Sequence, residues 1–296
     1  MKVLVTGGSG FLGSHIVDAL TEQGHQVTVF DSRPSPYLSG NQEMIVGDIL
    51  DGDALMAATQ GKDVVYHLAA LADINTAINQ PRRAVSLNVM GTLEVLEACR
   101  QAGVSRLVYS STIYVYSDQG SFYRTSKQAA EHLIFDYAER FGLEYTILRY
   151  GSLYGPRADA SNSVYRMLKQ ALSEGRIDYA GTGKEVREYI HVADAASMSV
   201  HALDSHYANQ ILHLMGRERM TTADMLEMIK EMMGDGIELQ FGSTTNVGHY
   251  TQTPYSYVPK LGRKLTQDTH IDLGLGLLDC LQRMHREVCA DDDLEG

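Results

Sequence analysis

The sequence predicts an α/β fold, a doubly wound parallel sheet covered by helices on both faces and followed by a smaller C-terminal α/β lobe. Three observations carry this reading. Strand-like and helix-like patterns alternate from the first residue to about residue 150, the strand segments are apolar runs without a wet face, and the helical stretches close on glycines.

Val3-Leu4-Val5 is a short strand ending in Thr6-Gly7-Gly8, and the helical pattern after it places Leu12, Ile16, Val17 and Leu20 on one face before Gly24. Residues 27–30 and 43–46 form the second and third strands. A short helix over 51–59 stops at Gly61, and 63–68 is the fourth strand. A long helix spans about 83–102 and ends at Gly103. Then come a strand over 106–110, a helix over 123–141 capped by Gly142, and a strand over 144–149. Beyond Tyr150, residues 161–174 make an amphipathic helix with Val164, Leu168, Ala171 and Leu172 on its apolar face. Residues 185–192 form a strand, 193–203 a helix with Asp194 as its N-cap, and 210–215 a strand. A Met-rich helix over 222–233 carries Leu226, Ile229 and Met233 inward, its methionines serving as core filling. Residues 1–150 are expected to form the main domain, with 185–215 returning to it and 151–184 plus 216–296 forming the lobe.

The 296 residues suffice for a large core, and 44% hydrophobic with 21% charged residues is an ordinary globular composition. Net charge is −12, with 37 acidic against 25 basic residues and no basic stripe, which argues against a nucleic-acid partner. Cys99, Cys280 and Cys289 are sparse and lack metal-ligand spacing, as suits a reducing compartment. No apolar run reaches membrane-spanning length and the first strand begins at Lys2, so a cytoplasmic protein is expected. Residues 290–296 read as an acidic tail. No His/Asp/Glu cluster suggests a metal, and His67 and His191 in strand patterns read as packing or hydrogen-bonded residues rather than ligands.

Thr6-Gly7-Gly8-Ser9-Gly10-Phe11-Leu12-Gly13 stands between a strand and a helix, where a dinucleotide fingerprint must stand. Glycines there permit the tight turn, the close approach of backbone to pyrophosphate, and close helix–sheet packing, while the helix N-terminus faces the phosphates. Gly7, Gly10, Phe11, Leu12 and Gly13 are therefore candidate cofactor contacts on a Rossmann domain. A P-loop is the rival, but no Lys-Ser or Lys-Thr follows. Asp31 closes the second strand 18 residues past Gly13, placed to bind the adenosine ribose diol, and its charge favours NAD over NADP. Arg33 is the counter-signal, since an arginine can accept the 2′-phosphate.

Tyr123 and Lys127 lie at i and i+4 of one helix and hence on one face. A phenol is a poor base at neutral pH, and a neighbouring ammonium together with a positive nicotinamide ring would favour its phenolate. Ser110-Ser111-Thr112 supplies hydroxyls at the C-terminal end of a parallel strand, the edge where open α/β sheets bind ligands.

With these motifs the sequence resembles the extended short-chain dehydrogenase/reductases, in particular the nucleotide-sugar epimerase/dehydratase family, over nearly its whole length. Gly47-Asp48-Ile49 is similar to that family's adenine-contacting segment, and His67-Leu68-Ala69-Ala70 to the strand end passing the cofactor. Asn88-Val89-Met90-Gly91-Thr92 matches its Asn-x-x-Gly-Thr helix, and the stretches 148–157 and 187–194 resemble its two late signatures. The resemblance implies NAD as cofactor and adds Asp48, Ile49, Leu68, Ala69, Ala70, Asn88, Ser110, Tyr123 and Lys127 to its binding residues. It implies Thr112, Tyr123 and Lys127 as the catalytic set, and Thr112, Ser152 and Arg187 as contacts to a nucleotide-diphosphate sugar. From the residues alone Arg187 reads as an ion-pair partner of Glu188 or Asp194. The family also implies a homodimer through the helices around 83–102 and 123–141, with Leu93, Leu96, Leu133 and Phe135 at or beneath the face.

The departures bear on the reaction. Ile113 and Tyr114 follow Thr112 where dehydratases and Thr-Ser-Glu decarboxylases carry an acid, Ser152 replaces an Asn, and Ala84 follows Pro81 where a Tyr is common. Epimerisation, at C4 through a transient keto-sugar, is the expected activity. A keto-sugar reductase or dehydrogenase is the alternative, then a decarboxylase or dehydratase, then a non-catalytic NAD-binding protein. Tyr123 follows Thr112 by only 11 residues, a shortened loop for the family. The expectation is an open pocket for a bulkier sugar, unless Tyr114, Tyr116 or Phe122 folds inward.

Overall fold

β1 (Lys2–Thr6) shows why the chain layers as it does. Successive strand side chains point to opposite faces, and Val3, Leu4 and Val5 are all fully buried. Val3 and Val5 join Ile16, Val17 and Leu20 of α1 (Phe11–Glu22) in one core, whereas Leu4 joins Leu55, Leu96 and Ile134 in another. A strand with two dry faces belongs in the middle of a helix-covered sheet.

The computed structural model describes residues 1–254 apart from 218, 235 and 244–247, all within the unit Met1–Val258. Residues 255–296, with the acidic tail, Cys280, Cys289 and the end of the expected lobe, lie outside the described residues. β2 (Gln26–Asp31), β3 (Glu43–Val46), β4 (Val64–His67), β5 (Arg106–Thr112) and β6 (Glu144–Tyr150) alternate with helices. After them come β7 (Ser152–Tyr154), β8 (Arg176–Tyr179), β9 (Val186–His191), β10 (Gln210–Leu214), β11 (Arg219–Thr221) and β12 (Glu238–Phe241). The main sheet has seven strands, all parallel, in the order β10-β6-β5-β4-β1-β2-β3. β7, β9 and β11 form a second sheet, and β8 pairs with β12 in a third. Strand order reverses between β1 and β4, which opens a crevice at their C-terminal ends.

α2 (Gly52–Thr59) starts at Asp51, whose carboxylate accepts the Ala54 N–H. The long helix expected over 83–102 is three pieces: α4 (Pro81–Val85), a wide π-turn (Ser86–Met90) and α5 (Gly91–Ala102), preceded by an unforeseen α3 (Ile74–Asn79). The wide turn carries Asn88 inside, and π-turns of this kind recur at functional sites. α6 (Ser121–Phe141) runs to Gly142, whose φ of +72° suits glycine at a helix end.

Two apolar stripes differ from expectation. α7 (Ser163–Glu174) buries Val164, Met167 and Ala171 and exposes Leu168 and Leu172, because the face toward β8 follows the i, i+3, i+7 row. α9 (Thr222–Met233) buries Met225, Leu226 and Ile229, while Met233 in its last turn is exposed. α8 (Val192–His201) is capped by the His191 side chain rather than by Asp194, which sits in the first turn where its charge favours the positive helix end.

Candidate active site

The glycine loop is shaped by contacts only glycine tolerates. Gly7 has φ +75°, and a Cβ there would lie 2.5 Å from the Ala69 nitrogen; one at Gly13 would collide with the Gly7 carbonyl oxygen. Gly10 is the N-cap of α1 without a side-chain cap, so the helix presents bare N–H groups. Asp31 ends β2, with one carboxylate oxygen accepting the Ser9 N–H at 3.0 Å and the other the Arg33 N–H at 3.2 Å. A carboxylate has lone pairs left for a diol beyond these two bonds. His67 is a buried, hydrogen-bonded residue, as expected: its Nδ1 meets Thr6 Oγ1 at 2.8 Å and its Nε2 meets Thr92 Oγ1 at 2.9 Å. Burial first, then the Lys127 charge, pushes it down to about 3, so the ring is neutral.

A cavity of about 820 Å³ runs along the strand ends from this loop to Tyr123. Gly7, Gly10, Phe11, Leu12, Gly13, Asp31, Arg33, Asp48, Ile49, Leu68, Ala69, Ala70, Ser110, Thr112 and Tyr123 all line it. Asn88 and Lys127, expected there too, are not among its walls. Asn88 is buried behind them, accepting the Leu71 N–H at 2.7 Å and donating to Ser126 Oγ at 2.9 Å, which in turn donates to the Tyr123 carbonyl. It therefore braces both the 68–72 turn and the helix that carries Tyr123.

Thr112 closes β5, and Tyr123 and Lys127 occupy the first two turns of α6. The Lys127 Nζ donates to the Ser110 carbonyl at 2.7 Å and lies 4.7 Å from the centre of the Tyr109 ring. Burial pushes this ammonium down to about 7 against the pull of the Glu131 carboxylate. Burial pushes the Tyr123 phenol up to about 12, offset in part by the Thr112 hydroxyl. Lys127 is not among the groups that lower it in the chain alone, its ammonium being turned toward the Ser110 carbonyl.

Sequence reasoning missed the support beneath this pair. Glu131, one turn beyond Lys127, is buried against Arg149 at 2.5 Å and accepts from Ser111 Oγ at 2.5 Å. Arg149 also donates to the Tyr116 hydroxyl, which meets His213 Nε2 at 3.0 Å. The signal was present: an acid within the Ala130–Ile134 stripe and an arginine within an apolar strand, one buried charge of each sign.

A second cavity, about 540 Å³, is walled by Ser152, Arg166, Tyr179, Arg187, Tyr189 and Thr222, among others. It shares Asn75, Leu153, Ser161, Asn162, Ser163, Arg166 and His249 with the first, so the two form one cleft. Arg187 pairs with neither Glu188 nor Asp194 among the described residues: its guanidinium lies 4.2 Å from the Tyr250 ring centre, and Glu188 faces Arg219 at 3.6 Å. Of the three aromatics in the shortened loop, Tyr114 folds inward, Tyr116 turns to Arg149, and Phe122 is exposed. Tyr114 and residues 248–250 refill the space that the short loop was expected to leave open.

A doubly wound sheet with a glycine cradle at its first strand–helix turn, and a Tyr/Lys helix at the same strand ends, defines an extended short-chain dehydrogenase/reductase. The chain belongs to the NAD dependent epimerase/dehydratase family, whose profile matches residues 3–215. It is 29% identical over 258 residues to a UDP-N-acetyl-alpha-D-glucosaminuronate decarboxylase of Bacillus cytotoxicus, covering 78% of this chain and 80% of that one. It is 29% identical over 273 residues to a UDP-glucose 4-epimerase of Corynebacterium glutamicum, covering 80% and 82%. Among solved structures it is similar to the UDP-glucuronic acid 4-epimerase of Bacillus cereus, bound to UDP-glucuronic acid and NAD. That likeness has TM-score 0.80 and 28% identity over 88% of this chain and 95% of that one.

NAD is the cofactor. The chain's own features fit it: a cradle that any Cβ would fill, an uncapped helix N-terminus facing it, and a carboxylate at the end of β2. Among the described residues no helix is long and apolar enough to cross a membrane.

Proposed function

We propose that this enzyme inverts C4 of a nucleotide-diphosphate sugar through a transient keto-sugar. The observation that carries the reading is the single cleft joining Thr112 and Tyr123 to Arg187, with Ile113 and Tyr114 in place of an acid. Gly7 to Gly13 would hold the pyrophosphate, Asp31 the adenosine ribose, Asp48 and Ile49 the adenine, and Lys127 the nicotinamide ribose. Bound NAD supplies the two-electron acceptor for the C4 hydrogen and a positive charge that favours the Tyr123 phenolate. Tyr123 takes the proton of the C4 hydroxyl and returns it to the opposite configuration after the keto-sugar has turned over. Thr112 donates a hydrogen bond to the same oxygen, and Arg187 and Ser152 anchor the substrate. Without a carboxyl group beside Thr112, removal of water or of a carboxyl group lacks its proton carrier.

The enzyme works in the cytoplasm as a homodimer. Leu96 is wholly core, whereas Leu93, Leu133 and Phe135 are half-buried against that core and leave part of their surface for a dimer face, with exposed Met90 and Phe141 on the same helical stretches. A monomeric mass by light scattering at working concentration would contradict this.

The function is tested by incubating the protein with UDP-, GDP-, CDP- and dTDP-sugars, following product by NMR and cofactor by absorbance together. C4-inverted product without added NAD supports it. Loss of carbon dioxide or water from the sugar, or stoichiometric reduced cofactor, overturns it in favour of the alternatives.

A further inference from the structure

The shortened loop is filled from a distant part of the chain. The Gly120 N–H donates to the Gly248 carbonyl at 2.8 Å, and the Val186 N–H to the Thr251 carbonyl at 2.8 Å. These two bonds seat His249 and Tyr250 beside the loop. The Tyr114 ring then lies 4.5 Å from Tyr250 and 6.3 Å from Tyr123, and Tyr250 carries Arg187 on its face. A run of aromatic rings thus spans from the Tyr123 phenol to the arginine of the second cavity.

His249 stands where the two cavities meet and lines both. Its Nδ1 lies 2.9 Å from the Tyr114 hydroxyl, and among the described residues nothing bonds its Nε2. With the diphosphate anchored at Arg187 and C4 at Tyr123, the part of the substrate lying at this junction is the sugar ring. We infer that His249 is a sugar-binding residue, donating from Nε2 to a sugar oxygen, and that Tyr114 positions it. The inference rests on the epimerase reading above.

The protonation states agree with it. Burial pushes the Tyr114 phenol well up, so it keeps a proton that it can donate to Nδ1. Burial, with Arg187 and Arg166 and against Asp73, pushes His249 down and favours the neutral ring, and the tautomer that accepts from Tyr114 at Nδ1 is the one with a proton on Nε2 to donate. Tyr114 stands two residues beyond Thr112 and selects the sugar indirectly, by fixing the tautomer and tilt of that imidazole.

Calorimetry on the full chain holding NAD, with UDP and UDP-glucose as probes, tests the pair. His249→Ala is expected to weaken UDP-glucose about 10-fold, the worth of one hydrogen bond, while leaving UDP within about 2-fold. Tyr114→Phe keeps the ring and is expected to act in the same direction, raising KM more than it lowers kcat. It also frees the His249 tautomer, visible in the imidazole nitrogen shifts. His249→Gln, whose amide can still donate, is expected to recover part of the loss. Equal weakening of both probes, or no change for either, overturns the inference. Turnover is followed separately on the same samples. Affinities that respond as expected in a protein that epimerises nothing uphold the pair and overturn the epimerase reading; C4 inversion with unmoved affinities does the reverse.

Discussion

Lys127 is held at a cost that a single substitution exposes. Only 3% of the residue is accessible, and burial pushes its ammonium from an ordinary 10.5 down to about 7. At about 1.4 kcal/mol per pH unit, keeping it charged within the fold costs roughly 5 kcal/mol. Between those two values the unfolded chain holds a proton that the folded chain has released. Stability from this group is therefore complete above 10.5 and is lost as pH falls toward about 7, by up to about 1.4 kcal/mol per unit. Lys127→Met removes that titration along with the bond to the Ser110 carbonyl, worth about 1.5–3 kcal/mol. Near pH 6 the variant should be about 2 kcal/mol more stable than the native chain while turning over far more slowly. Towards pH 9 the advantage should shrink or reverse. Urea unfolding of NAD-free protein at both pH values measures it, and subtracting the two chains isolates Lys127 from other titrating groups. Parallel stabilities across pH, or a variant less stable near pH 6, would refute the reasoning.

Tyr123→Phe should keep the fold and NAD binding while kcat falls about 10²–10⁴-fold, checked by steady-state assay and calorimetry. Gly13→Ala should weaken NAD binding by at least about 100-fold, because its Cβ meets the Gly7 carbonyl under the pyrophosphate cradle; calorimetry reads it directly. Arg149→Leu leaves Glu131 charged and unpaired, and should cost about 3–5 kcal/mol by urea unfolding. The double variant Glu131→Leu with Arg149→Leu should recover part of the loss.

What was legible in the sequence is what depends on local periodicity. Val3-Leu4-Val5 announced a strand dry on both faces, the glycines announced the phosphate cradle, and the i, i+4 spacing put Tyr123 and Lys127 on one face of α6. What depends on distant partners was not legible. Tyr114 and His249 meet across 135 residues, and β7 and β11, at three residues each, exist because β9 lies between them. The π-turn at Asn88 is set by the need to reach Leu71 and Ser126, which no pattern within 83–102 encodes. The stripes of α7 and α9 were misjudged by a residue or a turn, since both of their faces carry apolar side chains and the covered one is chosen by the packing of the small lobe.

The central claim is that the C4 hydrogen leaves the sugar and returns to the opposite face of the same carbon. The most direct measurement uses UDP-glucose deuterated at C4, incubated with the enzyme in ordinary water and followed by NMR. Deuterium retained at C4 of the inverted product, with none lost to solvent, is the predicted result. Inverted product that has exchanged its C4 label with water, or a sugar changed at another carbon, would contradict it.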